Sequence, residues 1–383
     1  MLTSKRVGLF FSGILAFGIV FALGWFANAH LGNSRIALQN PFIDQKQIRE
    51  KPLQQYSFTN LANREYLPAD IKIERTLETR DDFTSYLFSY MTTDRKITGV
   101  LNVPTNAPAS ETLSAIVMIR GWVPKESYYS GMGTENAAAV LARNGYVTLA
   151  PDFLGHGESD PEVDDEWGSR FIRPIHVIEL IKGVQQKGVP TAPATSEAST
   201  LQPIASVGLW GHSNGGQIAM SVLEITGEPM PTVLWAPVLA PFPYSILYFS
   251  DEEYDEGKAT RKIVTMLEED YDVFDFTITQ HLDRLTAPIQ LHHGTADEAA
   301  PIVWSDEFME KVERENERRA TVRAELETRA ATDSAAQAEL DDNEEQLSPI
   351  AIDYFRYPGA NHNLQPGWDT VVQRNLQFYN QNL

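Results

Sequence analysis

The 383-residue chain has no cysteine, so a disulfide framework, a thiolate nucleophile and a thiolate metal site are all closed to it. Cysteine peptidases are thereby excluded, while the compartment is left open. Positive charge is scarce as well: 31 Lys and Arg stand against 52 Asp and Glu, a formal net charge of −21. Such a surface repels phosphate backbones and anionic membranes, so no nucleic-acid partner is expected. No internal repeat is visible. No His-Glu-x-x-His or similar ligand spacing occurs either, so catalytic zinc is not expected. What the chain does have is 43% apolar residues, enough for one α/β domain of about 250 to 300 residues with appendages.

The first thirty residues differ from the rest. Lys5 and Arg6 precede an uncharged, mainly apolar run from Val7 to Ala29, long enough for the roughly 20 residues that cross a bilayer. Basic residues on its amino side keep that end in the cytoplasm and send the remainder outward. Residues 1–30 are therefore expected to be a transmembrane signal-anchor or a signal peptide, for which Ala27-Asn28-Ala29 offers a cleavage site. The anchor is favoured because the run exceeds the roughly 7 to 15 residues of a signal-peptide core. Both readings place the rest of the protein outside the cytoplasm. Residues 31–67 are polar, with little periodicity, and read as a linker.

Residues 68–383 carry the folded domain. Three alternating stretches, Ile71 to Glu78, Phe83 to Met91 and Ile97 to Val103, read as antiparallel strands that open a sheet. Strand and helix patterns then alternate: Ala115 to Ile119, a helix near Asn136 to Asn144, Val147 to Ala150, a helix from about Ser169 to Gln186, Ile204 to Trp210, and Thr232 to Trp235. Such βαβ alternation predicts a mostly parallel central sheet flanked by helices.

The chemistry begins at Gly211-His212-Ser213-Asn214-Gly215. A Gly-x-Ser-x-Gly between an apolar strand and a helix is a nucleophile elbow: the serine sits on a strained turn, and Gly211 and Gly215 leave room for it. A serine hydroxyl is a poor nucleophile until a base takes its proton and a third group orients that base. Asp297 follows Pro288 to His293, which reads as a buried strand, and His362 lies between the predicted strand Ala351 to Tyr357 and a final helix from Trp368 to Tyr379. The chain order Ser, Asp, His is that of hydrolases with this elbow, and each residue falls at the carboxyl end of a predicted strand, where open α/β sheets build sites. The oxyanion of a tetrahedral intermediate also needs N–H donors. Asn214 supplies one, and the loop Arg120-Gly121-Trp122 after Ala115 to Ile119 supplies the other through Trp122. His212 is expected to point away from the site, and His156 and His293 to support loops.

Two insertions interrupt the pattern. Residues 238–285 include Phe242, Tyr244, Leu247, Tyr248 and Phe249 and form either a small cap over the site or aromatics packed under a surface helix pair. Residues 306–347 are rich in Glu, Arg and Ala, with Glu310 and Arg314, Glu315 and Arg319, and Glu325 and Arg329 at i,i+4 spacing. Phe308, Met309 and Val312 would dock the first turns of this protruding helical hairpin. It is read as a solvated elaboration or an arm for a protein partner.

These stretches resemble the α/β-hydrolase superfamily, most of all the catalytic domain of prolyl oligopeptidase-type serine peptidases and related esterases. The resemblance rests on GVLNVP from Gly99 to Pro104, APDFLGHGESD from Ala150 to Asp160, the elbow, HGTADEAAP from His293 to Pro301 and GANHN from Gly359 to Asn363. It implies that Ser213, Asp297 and His362 form a catalytic triad that works through an acyl-enzyme without a cofactor or metal. One departure is Arg120-Gly121, where the family usually has His-Gly. An arginine there either braces the oxyanion loop through backbone carbonyls or points into the site and favours an acidic substrate. Full-length prolyl oligopeptidases also carry a propeller, whose seven blades need about 300 residues, far more than residues 1–67 supply. An ester or small acyl substrate is therefore expected first and a peptide second. A catalytically silent, membrane-tethered binding module is disfavoured by the complete set of triad residues.

Overall fold

The computed structural model describes residues 51–93, 95–105, 112–193, 200–250 and 254–383. The apolar run from Val7 to Ala29 and the proposed anchor or signal of residues 1–30 lie outside them. Among the described residues no helix is long and apolar enough to cross a membrane.

The stretch expected to be linker joins the domain from Pro52 onward. A single-turn 3₁₀ helix, Pro52–Tyr56, leads into helix α1 (Phe58–Ala62), capped by the Ser57 side chain, which accepts the Asn60 N–H. Leu53, Phe58 and Leu61 are buried, and Phe58 stacks on His281 with ring centroids 4.7 Å apart. Three apolar anchors spread over two very short helices leave no periodicity to read, which is why the segment looks like spacer in the sequence.

Strands β1 (Lys72–Thr79), β2 (Phe83–Thr92) and β3 (Arg95–Pro104) form the expected antiparallel opening. Then come β4 (Leu113–Ile119), α2 (Glu135–Arg143) and β5 (Val147–Pro151). The helix predicted from Ser169 to Gln186 is two helices, α3 (Glu166–Phe171) and α4 (Arg173–Lys187). They break at Ile172 because Pro174 has no N–H to give a continuing helix and instead fits the first turn of α4. A two-stranded ribbon, β6 (Val189–Pro190) with β7 (Leu201–Gln202), precedes β8 (Ile204–His212), α5 (Asn214–Thr226) and β9 (Thr232–Trp235). Helices α6 (Tyr244–Ser250) and α7 (Lys258–Asp270) occupy the first insertion. Strand β10 (Ile289–Gly294), α8 (Val303–Ala330), α9 (Ser334–Asp342), α10 (Glu344–Leu347), β11 (Ile352–Tyr357) and α11 (Trp368–Asn382) complete the chain.

The central sheet has nine strands in the order β1-β2-β3-β5-β4-β8-β9-β10-β11. Pairings are antiparallel as far as β3–β5 and parallel from there on. Side-chain alternation divides β4 between two cores: Ala115, Val117 and Ile119 pack with α4 and α5, whereas Ile116 and Met118 pack with α2 and α11. A parallel strand buried on both faces reads as a largely apolar run, as β4, β5 and β9 do, whereas β10 buries Gln290, His292 and His293 among its apolar residues. The carboxyl ends of β4, β8, β10 and β11 lead into Gly121, Ser213, Asp297 and His362 respectively.

The second insertion is a long helix, α8, against which α9 and α10 fold back. Ion pairs join Glu310 to Arg314 at 3.9 Å and Glu315 to Arg319 at 3.1 Å, whereas Arg329 pairs with Glu339 at 3.6 Å rather than with Glu325. Arg319 is not on an exposed face as its spacing suggests: it is 1% exposed. Its guanidinium donates to the carbonyls of Ser348 at 2.7 Å, Leu282 at 2.8 Å and Leu285 at 2.9 Å, so a single cation ties α8 to the connections before β10 and β11. Arg319→Ala strands those carbonyls and is expected to cost about 3 to 5 kcal/mol. A urea titration read by circular dichroism measures the loss, and a midpoint equal to that of the unsubstituted protein would refute the assignment of Arg319 as a tie.

Candidate active site

Ser213 occupies the turn from β8 to α5 with φ 57° and ψ −124°, a region L-residues enter only when their surroundings force it. Three backbone hydrogen bonds hold it there: its N–H donates to Trp235 O at 2.9 Å, and its carbonyl accepts from Gly216 N at 3.0 Å and Val238 N at 3.0 Å. The elbow glycines are required by contact. A Cβ on Gly211 would lie 2.7 Å from Gly215 O, and one on Gly215 would lie 1.9 Å from Ile119 O. Gly121 presses on Ser213 from the other side, since a Cβ there would come within 2.8 Å of Ser213 Cβ.

Asp297 is nearly buried at the end of the β10 loop. Its Oδ1 accepts the N–H groups of Ala299 and Ala300, both at 2.9 Å. Its Oδ2 accepts from His362 Nδ1 at 2.8 Å and lies 3.2 Å from His293 Nε2. Burial alone would raise this carboxyl, but the hydrogen bonds from His293, His362 and Ala300 outweigh it and hold the group well below the usual carboxylate range. The loops bearing Asp297 and His362 are laced together: Ala296 N–H donates to Ala360 O at 2.9 Å, Thr295 N–H to Tyr357 O at 3.0 Å, and Gly359 N–H to Thr295 Oγ1 at 2.8 Å. With Nδ1–H given to the carboxylate, Nε2 of His362 is the ring nitrogen without a proton. No hydrogen bond joins that ring to Ser213 Oγ among the described residues; such contacts commonly tighten only when substrate binds.

His212 departs from expectation. Its ring turns toward the site, 4.7 Å from the His362 ring between centroids, and Nε2 donates to His362 O at 3.0 Å. The reason is strand periodicity: β8 runs as far as His212, so residue 212 shares a face with Trp210, and that is the face covered by the β11–α11 segment. Burial, and then the neighbouring His362, lower its pKa to about 4, so it remains neutral and able to donate. His212 therefore links the serine's own strand to the histidine loop. His293 supports its loop as expected, with Nε2 2.8 Å from Ala300 O and Nδ1 2.7 Å from Ser305 Oγ.

Arg120 takes the bracing role and not the charge-selecting one. It is 7% exposed, donates through Nη1 to Gly121 O at 2.9 Å and through Nη2 to Asp152 O at 2.7 Å, and stacks 4.5 Å from the Tyr128 ring. Asp152, itself fully buried, accepts from Thr98 Oγ1 at 2.6 Å, Tyr128 OH at 2.7 Å and Ser130 Oγ at 2.7 Å. Asp152 lies inside the recognisable APDFLGHGESD stretch, but nothing in the sequence marks Tyr128 or Ser130 as its partners. Trp122 follows with its side chain 76% exposed. Neither the Trp122 nor the Asn214 N–H donates to another protein acceptor among the described residues, and Asn214 begins α5, at the positive end of that helix.

The aromatic insertion divides. Phe242 is buried against Trp167 and Phe171. Tyr248 and Phe249, each about half exposed, cluster with Trp304, and Tyr248 OH reaches Glu298 O at 3.5 Å, beside Asp297.

Buried neutral histidines also set the acid stability of the fold. His176 and His292 are almost fully buried, and burial lowers each to about 3; a neighbouring arginine adds to the effect, Arg173 at His176 and Arg374 at His292. Both ring nitrogens of His176 lack a hydrogen-bond partner. Below their ordinary pKa near 6.5 the unfolded chain binds three protons, counting His212, that the folded protein refuses, so stability falls with pH. Glu224 opposes by one proton, because burial raises its carboxyl and the folded state keeps a proton that the unfolded state releases. Stability is thus expected to drop by roughly 2 to 3 kcal/mol per pH unit between about pH 6 and pH 5. Urea titrations at both pH values check this, and His176→Phe should flatten the slope by about one proton's worth.

No family model matches the chain, and no curated protein does. Solved structures do. An acetyl xylan esterase from Paenibacillus sp. R4 superposes with a TM-score of 0.53 at 16% identity, covering 84% of this chain and 91% of that one. Acetyl xylan esterase 1 from Thermoanaerobacterium sp. JW/SL YS485 gives 0.52 at 14% identity, covering 86% and 94%. A dipeptidyl peptidase 4 from Porphyromonas gingivalis gives 0.46 at 16% identity, covering 83% of this chain and 36% of that one. The chain has the α/β-hydrolase fold. Esterases stand among the structures that share it.

Proposed function

We propose that this protein is a serine hydrolase that cleaves a carboxylic ester or other small acyl substrate. Ser213 is the nucleophile, His362 the general base and acid, and Asp297 the group that fixes the imidazole tautomer and stabilises the imidazolium. Ser213 Oγ attacks the acyl carbon as its proton passes to His362 Nε2. The oxyanion that forms is held by the Trp122 and Asn214 N–H groups. His362 then returns the proton to the leaving alcohol, and water repeats the sequence on the acyl-enzyme. The observation that carries this reading is the 2.8 Å hydrogen bond from His362, on a loop that His212 ties to the strained serine's strand, to a carboxylate with four donors around it.

Residues 1–30 hold or send the domain outside the cytoplasm, as a membrane anchor in the favoured reading, and residues 306–347 form a solvated arm on that domain. The test of activity is a parallel panel of p-nitrophenyl esters and aminoacyl or prolyl amides, with fluorophosphonate labelling and Ser213→Ala as control. Ester turnover with labelling at Ser213 is expected. Amide cleavage without ester turnover would replace the esterase with a peptidase, and labelling at no serine would leave a silent binding module. Amino-terminal sequencing of the membrane fraction tests the anchor, which a start at His30 would exclude.

A further inference from the structure

Gly121 lies against the elbow so closely that only a glycine fits: an added Cβ would be 2.8 Å from Ser213 Cβ, 3.3 Å from His212 O and 3.4 Å from Ser213 Oγ. Glycine has a consequence here, because it leaves the peptide unit that follows it free to turn about its backbone bonds. That unit joins the Gly121 carbonyl to the Trp122 N–H, the donor assigned above to the oxyanion. A donor on a peptide that can rotate is not preorganised.

Arg120 removes this freedom. Its Nη1 donates to Gly121 O at 2.9 Å and its Nη2 to Asp152 O at 2.7 Å, so the carbonyl end of the peptide is tied to the segment leaving β5. The guanidinium is itself held in place, 4.5 Å from the Tyr128 ring and 5.8 Å from the Phe153 ring, and Tyr128 is fixed in turn by its 2.7 Å hydrogen bond to Asp152 Oδ1. The Asp152 carboxylate is occupied by three hydroxyls, and none of the described carboxylates makes an ion pair with Arg120. Arg120 Nε is buried without a hydrogen-bond partner. The charge of this 7% exposed group is therefore spent on the two carbonyls it touches. A cation at the oxygen of a peptide draws electron density from the nitrogen and makes its N–H a stronger donor.

Resting on the serine hydrolase reading above, we infer that Arg120 is a positioning residue for the oxyanion: it locks and polarises the Gly121–Trp122 peptide, and it does so without touching the substrate. As negative charge develops at the N–H end, the peptide carries stabilisation from the guanidinium at its other end, inside a buried site where such charges act strongly. The benefit falls on the transition state, so neutral and anionic esters gain alike.

The test uses the full chain with Arg120→Met, which removes both bonds and the charge, and Arg120→Lys, which keeps the charge and one donor. For p-nitrophenyl acetate and the anionic mono-p-nitrophenyl succinate, kcat is expressed per Ser213 titrated to completion with a fluorophosphonate. The same samples are inhibited by a trifluoromethyl ketone, to which Ser213 Oγ adds to give a hemiketal oxyanion, and by the matching methyl ketone. Arg120→Met is expected to lower kcat per site by about 10²-fold for both esters, with KM moved less than about twofold, and to weaken the trifluoromethyl ketone by a similar factor while sparing the methyl ketone. Arg120→Lys should fall about tenfold below the unsubstituted protein, and it carries the test alone where Arg120→Met yields no titratable serine. A value per site and a ratio of two inhibitors are not mimicked by a smaller folded fraction. A kcat per site within about threefold of the unsubstituted protein in every variant that titrates, an unchanged preference for the trifluoromethyl ketone, or a loss confined to the anionic ester overturns the role of Arg120 and leaves the hydrolase standing. Absence of labelling at Ser213 in the unsubstituted protein overturns both.

Discussion

Asp297→Asn is expected to lower kcat for ester hydrolysis by about 10⁴-fold with little change in KM, the scale on which an amide in place of the orienting carboxylate disables such a triad. The carboxylate now accepts from four donors: two backbone N–H groups on Oδ1, with His362 and His293 on Oδ2. An asparagine keeps the backbone pair only by aiming its NH₂ at two imidazole N–H groups. His362 escapes that clash by taking the other tautomer, which protonates the nitrogen that must receive the Ser213 proton. Substrate still binds, so the loss falls on the chemical step. The same substitution removes a source of stability with a definite pH dependence. The Asp297 carboxyl is depressed in the folded state, so its contribution is present above the ordinary carboxylate pKa and disappears as pH falls below it. Stopped-flow measurement of acylation gives the rate effect. A loss of less than about tenfold in kcat would remove Asp297 from the triad.

The residues of this site are legible in the sequence because each chemical group is announced by its backbone. Ser213 sits between glycines that only an elbow needs, and Asp297 and His362 each follow a short stretch that reads as a strand and ends in a loop. The supporting groups are legible only in part, because support is a matter of which face a side chain takes and which distant segment covers it. His212 looks irrelevant until β8 is seen to extend through it, which places its ring against His362. Arg319 looks like one more exposed i,i+4 partner, yet three carbonyls from other segments surround it. Phe58, Phe171, Phe242 and Phe276 come together around one cavity, and no local pattern connects them. In the fold as a whole, long periodic elements are readable, whereas the two short helices after Lys51 and the break at Ile172 depend on tertiary packing and on a single proline.

Gly215→Ala carries a large expected effect on both folding and turnover, and it separates two reasons for which a glycine is needed. At Gly145, φ is +89° but nothing lies within 4 Å of an added Cβ, so Gly145→Ala costs only the left-handed backbone penalty of about 1 to 2 kcal/mol. Gly215 is the reverse case. It lies in regular helix at the start of α5, yet its Cβ would sit 1.9 Å from Ile119 O and 2.6 Å from Arg120 O. Those atoms are backbone at the end of β4, so no rotamer change relieves the clash and α5 or the oxyanion loop must move. Overpacking against immovable backbone puts the cost at about 3 to 5 kcal/mol, a large share of a domain's stability. In the molecules that still fold, Gly121 and Trp122 shift with Arg120, so the oxyanion donors leave their places and kcat should drop by about 10²-fold or more. Urea titration and active-site titration of the soluble fraction measure the two effects separately. If Gly215→Ala proved no more damaging than Gly145→Ala in both assays, the close packing of the elbow on β4, and with it the placement of the oxyanion loop, would have to be abandoned.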